Sequence, residues 1–262
     1  MDDNVTRAAA ALMDEHGSKA KFHSLAPAFG IADLDAAYAV QRDYVRRQQQ
    51  SRQVGAVGYK VGLTSPRMQA MCGIDRPIAG VVLADRVHSS GVRLKAADYG
   101  RLGLEFEIAV RMGRDFRPAA GPVELSHVAE AIDAVCPAIE VVDDRGCDYK
   151  TLDVFSLVAD NSWNAGIVLG EFRPAWPDLA SIEGIISITG DAVDRGSGRD
   201  VLGHPFQSVT WLAGHLALAG GGLRAGDIVM TGNMVTTKFP APPADCRFEV
   251  AGLGSIALSI EG

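Results

Sequence analysis

Residues 103–110 read GLEFEIAV and predict a β-strand that presents two acidic side chains on one face. Apolar residues alternate with Glu105 and Glu107, and a period of two places alternate side chains on the same face of a strand. Neighbouring carboxylates repel each other unless a positive charge neutralises them. A hard divalent cation such as Mg²⁺ can do so, because it prefers oxygen ligands. An acidic edge that faces solvent is the alternative.

A second apolar run, CPAIEVVD at residues 136–143, encloses a carboxylate at Glu140. Its branched apolar neighbours predict a buried strand, and a buried carboxylate is costly without a partner. If Glu140 lies beside Glu105 and Glu107, the three carboxylates form a metal site. A salt bridge between Glu140 and one of the arginines is the alternative that spacing leaves open.

The composition of the 262-residue chain is that of a globular protein, with 47% hydrophobic and 22% charged residues. The net charge of −7 and the lack of a basic stripe argue against a nucleic-acid partner. No apolar run reaches the roughly 18 residues of a membrane span, so no membrane partner is expected.

Cysteine usage and the N-terminus predict a cytoplasmic location. The four cysteines are scattered, at Cys72, Cys136, Cys147 and Cys246. Because they form no C-x-x-C pair, they are expected to be reduced thiols, with Cys136 in the core. The acidic start Met1-Asp2-Asp3 lacks the basic and apolar regions of a signal peptide.

Helix and strand signals divide the chain into two parts. Two helices are predicted first, over residues 5–16 and 33–50, the second of them capped by Asp33. Short strands with turn residues between them follow. The predicted fold class is α+β, a mixed β-sandwich or roll, with a helical N-terminal segment at 1–55 and a β-rich domain at 56–262.

Two local predictions concern the β-rich part. Ser126 is expected to cap a helix that runs to about Val135 and leads directly into the Glu140 strand. The glycine-containing segment 196–198 is expected to form a mobile or tight loop.

Lys60 and His204 are further candidates for function. Lys60 lies between Gly58 and Gly62 in a predicted strand, and glycine neighbours let a ligand or another backbone approach closely. A lysine on a strand is, however, more often a solvated charge. His204 lies in a loop between glycine and proline, whereas His215 lies in a predicted helix and is expected to be structural.

Seven short segments carry a resemblance to a known family. They are YKVGLT (59–64), LEFEIA (104–109), PAIEV (137–141), VADN (158–161), LGHP (202–205), GDIVMTG (226–232) and GLGSI (252–256). In this order they resemble the 2-keto-4-pentenoate hydratase and 4-oxalocrotonate decarboxylase group of the wider fumarylacetoacetase fold family. The resemblance covers roughly residues 55–262. One segment alone is a weak signal, whereas all of them in order indicate the family strongly.

The resemblance implies a catalytic β-roll around a divalent metal, Mg²⁺ or Mn²⁺. It implies that Glu105, Glu107 and Glu140 are the metal ligands. It also places Lys60 beside the substrate, where its ammonium group would neutralise developing charge or move a proton.

Further implications concern Asp160, Ser162 and the partners of the chain. Both residues are assigned to the catalytic site, where Ser162 would donate a hydrogen bond to the substrate carboxylate. The implied substrates are small 2-oxo acids from aromatic-ring degradation. The protein is expected to be a homo-oligomer, and a complex with a pathway partner enzyme is a further expectation.

The activity expected first is that of a hydratase, which adds water to a 2-hydroxy-2,4-dienoate and gives a 4-hydroxy-2-oxo acid in aromatic catabolism. Ile78 stands where hydratases of the group tend to carry an acidic residue, so a 4-oxalocrotonate-type decarboxylase is the alternative. A carbon–carbon bond hydrolase needs a base, and nothing marks His16 or His23 as that base. An inactive structural partner of a hydratase–decarboxylase complex is the non-enzyme alternative. Lys238 either faces the far end of the substrate or is a surface lysine.

Overall fold

The computed structural model describes residues 3–119 and 122–262 of the chain. Met1 and Asp2, where the acidic N-terminus begins, lie outside the described residues. The helices are α1 (Asp3–Ser18), α2 (Ala26–Phe29), α3 (Leu34–Arg52), α4 (Pro66–Met71), α5 (Leu125–Ala129), α6 (Val154–Ala159) and α7 (Pro205–Leu218). Within the described residues, none of the helices combines the length and the apolar character that crossing a membrane requires.

The strands form two sheets. They are β1 (Ala56–Gly62), β2 (Ile78–Leu83), β3 (Val87–Ser89), β4 (Val92–Lys95), β5 (Leu102–Met112), β6 (Ile132–Asp143), β7 (Asn164–Leu169), β8 (Glu183–Ile188), β9 (Asp191–Ser197), β10 (Ile228–Met230), β11 (Ala244–Val250) and β12 (Gly254–Glu261). The larger sheet has the order β2-β1-β10-β5-β6-β7-β3, and the smaller has the order β4-β12-β11-β8-β9. Helices and sheets together confirm the predicted α+β class.

The long antiparallel strands β5 and β6 lie side by side in the middle of the larger sheet. They are buried along almost their whole length, which explains why both are nearly continuous apolar runs. In the smaller sheet, alternate residues of β11 are buried and exposed, as expected for a strand with one wet face. Phe248 of β11 meets Phe106 of β5 edge to face, with ring centroids 5.5 Å apart. This contact joins the two sheets at β5, the strand that also carries Glu105 and Glu107.

The N-terminal helices pack onto the sheets. Leu12 of α1 and Tyr44 of α3 belong to the same buried cluster as Phe106 of β5. Asp33 caps α3 as predicted, because its side chain accepts a hydrogen bond from the amide of Ala36. The predicted change from a helical segment to a strand-rich one falls between the end of α3 and the start of β1. The division into two domains stays a prediction.

The helix predicted from Ser126 to Val135 is wrong in most of its length. The helix α5 ends at Ala129, and β6 begins at Ile132. Val135 pairs with Val110 of β5. A short apolar run suits a buried strand as well as a buried helix, and the long-range pairing with β5 decided the outcome.

The loop predicted at residues 196–198 is also wrong. Gly196 and Ser197 complete β9, and Gly198 begins a short 3₁₀ turn. A Cβ atom at Gly196 would lie 2.5 Å from the carbonyl oxygen of Met234. Glycine is needed there because another backbone passes close by.

The four cysteines are buried and carry free thiols. Cys136 lies in β6 and is completely buried, as predicted, and burial raises the pKa of its thiol to about 12. Such thiols behave as small apolar side chains.

Candidate active site

Three glutamates meet on one face of the larger sheet. Glu105 of β5 lies directly opposite Glu140 of β6, and Glu107 follows two residues further along β5. One carboxylate oxygen from each glutamate lies within 4.8 Å of those from the other two. Glu107 is completely buried, so the alternative of a solvent-facing acidic edge is wrong.

Each of the two buried glutamates keeps one carboxylate oxygen without a hydrogen-bond partner among the described residues. Oε2 of Glu107 accepts a hydrogen bond from the amide of Gly232 at 2.7 Å. Oε1 of Glu140 accepts one from Nδ2 of Asn164 at 2.8 Å. The remaining oxygens, Oε1 of Glu107 and Oε2 of Glu140, have no such donor. A buried acceptor without a donor is costly. A cluster of carboxylate oxygens with free lone pairs therefore fits a hard cation such as Mg²⁺ or Mn²⁺.

In the absence of a cation, these carboxyl groups hold protons more tightly than usual. Burial raises the pKa of Glu107 well above its ordinary value, and the charges of Glu140 and Glu105 add to the shift. Burial also raises the pKa of Glu140 to about 7, although Lys60 opposes the shift. A cation that binds here would displace protons.

Lys60 of β1 is buried beside the glutamates, with 4% of its surface exposed. Its Nζ lies 3.4 Å from Oε1 of Glu140. Burial acts to lower the pKa of Lys60, but the glutamate charges, that of Glu140 above all, outweigh burial and raise the pKa. Gly80 of the adjacent β2 leaves room for this side chain, because a Cβ atom at Gly80 would lie only 3.0 Å from Cγ of Lys60. Lys60 is thus a charged group within the site, and its interpretation as a solvated lysine is wrong.

A cavity of about 450 Å³ opens next to Lys60. Lys60, Glu105 and Ser162 contribute polar groups to its wall, and Lys60 and Ser162 are almost completely buried. Most of the remaining wall is apolar and consists of Leu63, Met68, Met71, Cys72, Ile78, Val142, Leu152, Leu157, Trp163, Met234, Val235 and Phe239. Such a wall fits a small molecule with a polar head and a short carbon chain.

A strained turn brings Ser162 into the cavity wall. Asn161, Ser162 and Trp163 have left-handed backbone, with φ values of 49°, 50° and 61°, which costs free energy in residues other than glycine. Asn161 holds this turn, because its Oδ1 accepts the Val81 amide at 2.7 Å and its Nδ2 donates to the Val81 carbonyl at 2.9 Å. The Ser162 hydroxyl is buried and has no partner in the described ranges. It is therefore available to a ligand.

Asp160 precedes this turn but does not line the cavity. Its Oδ2 accepts a hydrogen bond from Nη1 of Arg145 at 2.7 Å. Its Oδ1 lies 2.6 Å from Nε2 of His16. Arg145 also donates to Oε2 of Glu15 at 3.0 Å. The side chains of Asp160 and Arg145 are 0% and 1% exposed. These four residues, here called the Arg145 cluster, tie α1 to the turn.

The sequence did not identify three donors that orient the glutamates. Oγ1 of Thr237 donates to Oε1 of Glu105 at 2.7 Å, and Asn164 and Gly232 serve the other two glutamates. These donors stand 132, 24 and 125 residues from their partners, so no local spacing could reveal them. For Gly232 the one signal was its place in the family-like segment 226–232.

Two other candidates of the sequence lie outside the cavity. Nδ1 of His204 accepts the amide of Phe206 at 3.0 Å and so caps α7. The ammonium group of Lys238 forms an ion pair with Asp194, and its side chain is 21% exposed, so it fits the expectation of a surface lysine better than that of a group facing the substrate. His215 stacks on Trp211, which agrees with its expected structural role.

Ile78 lies in the cavity wall and is 1% exposed. Its aliphatic side chain can neither donate nor accept a proton. Ile78 is thus an apolar residue at the position where a hydratase of the group was expected to carry an acidic one.

The fold and the site define an α+β enzyme with a mostly apolar cavity that contains a buried lysine beside three clustered glutamates. Residues 68–261 match the fumarylacetoacetate (FAA) hydrolase C-terminal family. The chain belongs to this family, as the resemblance of its segments predicted.

The chain is similar to two kinds of enzyme in this family. It is 31% identical over 260 residues to a 2-keto-4-pentenoate hydratase of Burkholderia vietnamiensis, with 97% of each chain covered. It is 35% identical over 229 residues to a 4-oxalocrotonate decarboxylase of Pseudomonas putida, with 84% of this chain and 83% of the relative covered. A solved 4-oxalocrotonate decarboxylase from Pseudomonas putida G7, complexed with magnesium and adipate, has a TM-score of 0.92 at 29% identity. That comparison covers 99% of this chain and 98% of the other.

Proposed function

We propose that the protein is a metal-dependent hydratase that adds water to a 2-hydroxy-2,4-dienoate and gives a 4-hydroxy-2-oxo acid. The observation that carries the proposal is the placement of Lys60, which lines the cavity and lies 3.4 Å from Glu140. Similarity to a 2-keto-4-pentenoate hydratase over 97% of the chain supports the substrate class. We further infer a role in the catabolism of aromatic compounds and a homo-oligomeric assembly.

Glu105, Glu107 and Glu140 would hold the metal ion, Mg²⁺ or Mn²⁺. The unpartnered oxygens of the two buried glutamates support this assignment, as do the magnesium and calcium complexes of the solved 4-oxalocrotonate decarboxylase. When bound, a divalent cation supplies Lewis-acid stabilisation of the negative charge that develops on a 2-oxo acid.

Lys60 and Ser162 would act directly on the substrate. Lys60 keeps its proton in the resting site, because the glutamate charges raise its pKa. It can therefore neutralise developing negative charge or deliver a proton to the substrate. The unpartnered hydroxyl of Ser162 would donate a hydrogen bond to the substrate carboxylate, while the apolar wall accommodates the carbon chain.

Asp160 would act through Ser162 and not on the substrate. Its carboxylate lies in the Arg145 cluster and outside the cavity. The left-handed turn that follows it is strained, and strained segments persist when surrounding contacts hold them. We therefore infer that Asp160 is a positioning residue.

Decarboxylation of a 4-oxalocrotonate-type acid is the second candidate, and Ile78 favours it. The apolar Ile78 side chain lines the cavity, so it cannot transfer a proton during the addition of water. Carbon–carbon bond hydrolysis is disfavoured, because no histidine lines the cavity within the described residues. The buried glutamates and Lys60 likewise disfavour an inactive structural partner.

The deciding experiment offers the purified protein 2-hydroxypenta-2,4-dienoate and 2-oxohex-3-enedioate separately in the presence of Mg²⁺. Dienoate absorbance and CO₂ release are followed together, with Lys60→Met as the inactive control. Loss of dienoate without CO₂ is the expected result. Release of CO₂ from the diacid would establish the decarboxylase instead. If neither substrate reacts while the protein still binds Mg²⁺, both proposed activities are wrong.

A further inference from the structure

Thr237 lines the cavity beside the glutamates, and the proposed chemistry gives it no role. Its Oγ1 donates a hydrogen bond to Oε1 of Glu105 at 2.7 Å. A threonine hydroxyl has a single proton to donate, so this contact uses the whole donor capacity of Thr237. The hydrogen bond occupies one oxygen of Glu105 and fixes the orientation of its carboxylate.

Backbone pairing places Thr237 next to Glu105. Lys238 and Leu104 exchange two backbone hydrogen bonds, of 2.8 and 2.9 Å, and this antiparallel register sets the preceding Thr237 opposite Glu105. Gly103 leaves room for the contact, because a Cβ atom there would lie 3.2 Å from Cγ2 of Thr237. The hydroxyl is therefore held in place by the chain on both sides of it.

An ion pair ties the same segment to the smaller sheet. The ammonium group of Lys238 is paired with Asp194 of β9. Lys238 follows Thr237 directly in the chain, so the segment that carries the hydroxyl is fixed to β5 by its backbone and to β9 by this side chain. A donor held in this way can enforce one orientation of Glu105.

The other two glutamates show the same arrangement. In Glu107 and in Glu140, one oxygen accepts a hydrogen bond from the protein and the other has no partner among the described residues. With Glu105 included, each glutamate has one oxygen held by a donor, and each offers one oxygen to a cation. Mg²⁺ suits few protein oxygens in near-octahedral geometry, whereas Ca²⁺ takes about 6–8 oxygens and accepts both oxygens of one carboxylate.

We propose that Thr237 is a positioning residue that makes the site prefer Mg²⁺ to Ca²⁺, because it restricts Glu105 to one coordinating oxygen. This inference rests on the proposed function, which assigns the metal ion to the glutamates. Glu107 and Glu140 are completely buried, whereas Glu105 is half-buried and has the most freedom to rotate. Without the hydroxyl, both oxygens of Glu105 are free to turn to the ion, and the added ligand suits Ca²⁺ better than Mg²⁺.

The test measures the ratio of two dissociation constants, by calorimetric titration of the metal-free protein with Mg²⁺ and with Ca²⁺. Thr237→Val keeps the branched side chain but removes the hydroxyl. This variant should lower the preference for Mg²⁺ about tenfold or more, a change of the size that outer-shell partners produce. Thr237→Ser keeps the hydroxyl and should retain the wild-type ratio. A merely structural role of Thr237 would weaken both ions alike and leave the ratio unchanged.

Thr210→Val is the matched control. The hydroxyl of Thr210 in α7 donates to the carbonyl of Phe206 at 2.8 Å, and Thr210 does not line the cavity, so this variant should keep the ratio. A wild type without a preference for Mg²⁺, a preference that survives Thr237→Val, or one that Thr237→Ser loses would overturn the role of Thr237 and leave the proposed function intact. If the wild type binds no divalent cation, the proposed metal-dependent function fails and the inference fails with it.

Discussion

Nζ of Lys60 lies 3.4 Å from Oε1 of Glu140, although two strands, β10 and β5, separate their strands in the sheet. On a flat sheet, three strand spacings would place the two backbones about 14 Å apart. The side chains can meet because the strand register places both of them on the same face of the sheet, where they extend towards each other. This ion pair is the contact on which the proposed site depends.

Replacing Lys60 by methionine should abolish turnover. Methionine keeps the length and apolar stem of the side chain but can neither carry charge nor transfer a proton. We expect turnover of the dienoate to fall by about a thousandfold, within the range of acid–base catalysis. Metal binding should persist or tighten, because a cation has left the site. Steady-state absorbance assays and calorimetry measure the two effects.

Lys95→Met is the control for this variant, because Lys95 is exposed at the end of β4. The control should behave like the wild type in both assays. If Lys60→Met kept turnover within about tenfold of the wild type, its proposed acid–base role would be wrong.

Replacing Glu140 by glutamine should weaken metal binding. The amide has nearly the shape of the carboxylate, but it removes one negative charge from the three-glutamate cluster. Calorimetric titration with Mn²⁺ should show a loss of affinity of about a hundredfold or more, since even outer-shell changes cost 10–100-fold. Glu183→Gln, an exposed residue paired with Arg195, should leave the affinity unchanged. Equal affinities of the two variants would contradict the assignment of Glu140.

The metal-free protein should lose stability as the pH rises. Burial raises the pKa of Glu140 from 4.5 to about 7 in the folded state, so the folded protein binds more protons than the unfolded chain between these values. The stabilisation is therefore present below about pH 4.5 and is lost as the pH passes through 7. Thermal melts in a chelator should show the decline, by at least about 2 °C for each kcal/mol lost.

Two comparisons separate this effect from the titration of other groups. Glu140→Gln cannot lose a proton at this position, so its melting temperature should decline less steeply with pH. Added Mg²⁺ should raise the melting temperature more at high pH than at low pH, because it binds the ionised carboxylates. A pH dependence identical in the wild type and the variant would rule out Glu140 as the source.

Replacing Asp160 by asparagine should destabilise the protein and weaken substrate binding. The change leaves Arg145 buried with less compensating charge, and a broken buried ion pair typically costs about 3 kcal/mol or more. Because the turn that carries Ser162 would loosen, KM should rise more than kcat falls. Chemical denaturation and steady-state kinetics measure both effects.

Asp75→Asn is the matched control for Asp160→Asn. Asp75 pairs with Arg76 at the surface, where ion pairs contribute little. This variant should melt close to the wild type and keep its KM. A direct chemical role of Asp160 would instead lower kcat and leave KM unchanged, and that result would contradict its assignment as a positioning residue.

The sequence predicted local features well, because they depend on neighbours in the chain. A period of two placed Glu105 and Glu107 on one face, and the cap Asp33 was recognised from its residue type. The prediction failed where one residue pattern suits two structures. The apolar run that ends at Val135 suits a helix or a strand, and pairing with β5 made it a strand. His204 was proposed for function and proved to be a helix cap.

By itself, the sequence determined the faces of the strands and, through its ordered segments, membership of the fumarylacetoacetate hydrolase family. The tertiary structure alone decided that Lys60 meets Glu140 and that Asp160 is bound to Arg145. The physical reason is that strand pairing and register bring together side chains that are distant in the chain. Burial then sets the charge of those side chains, and burial is a property of the whole fold.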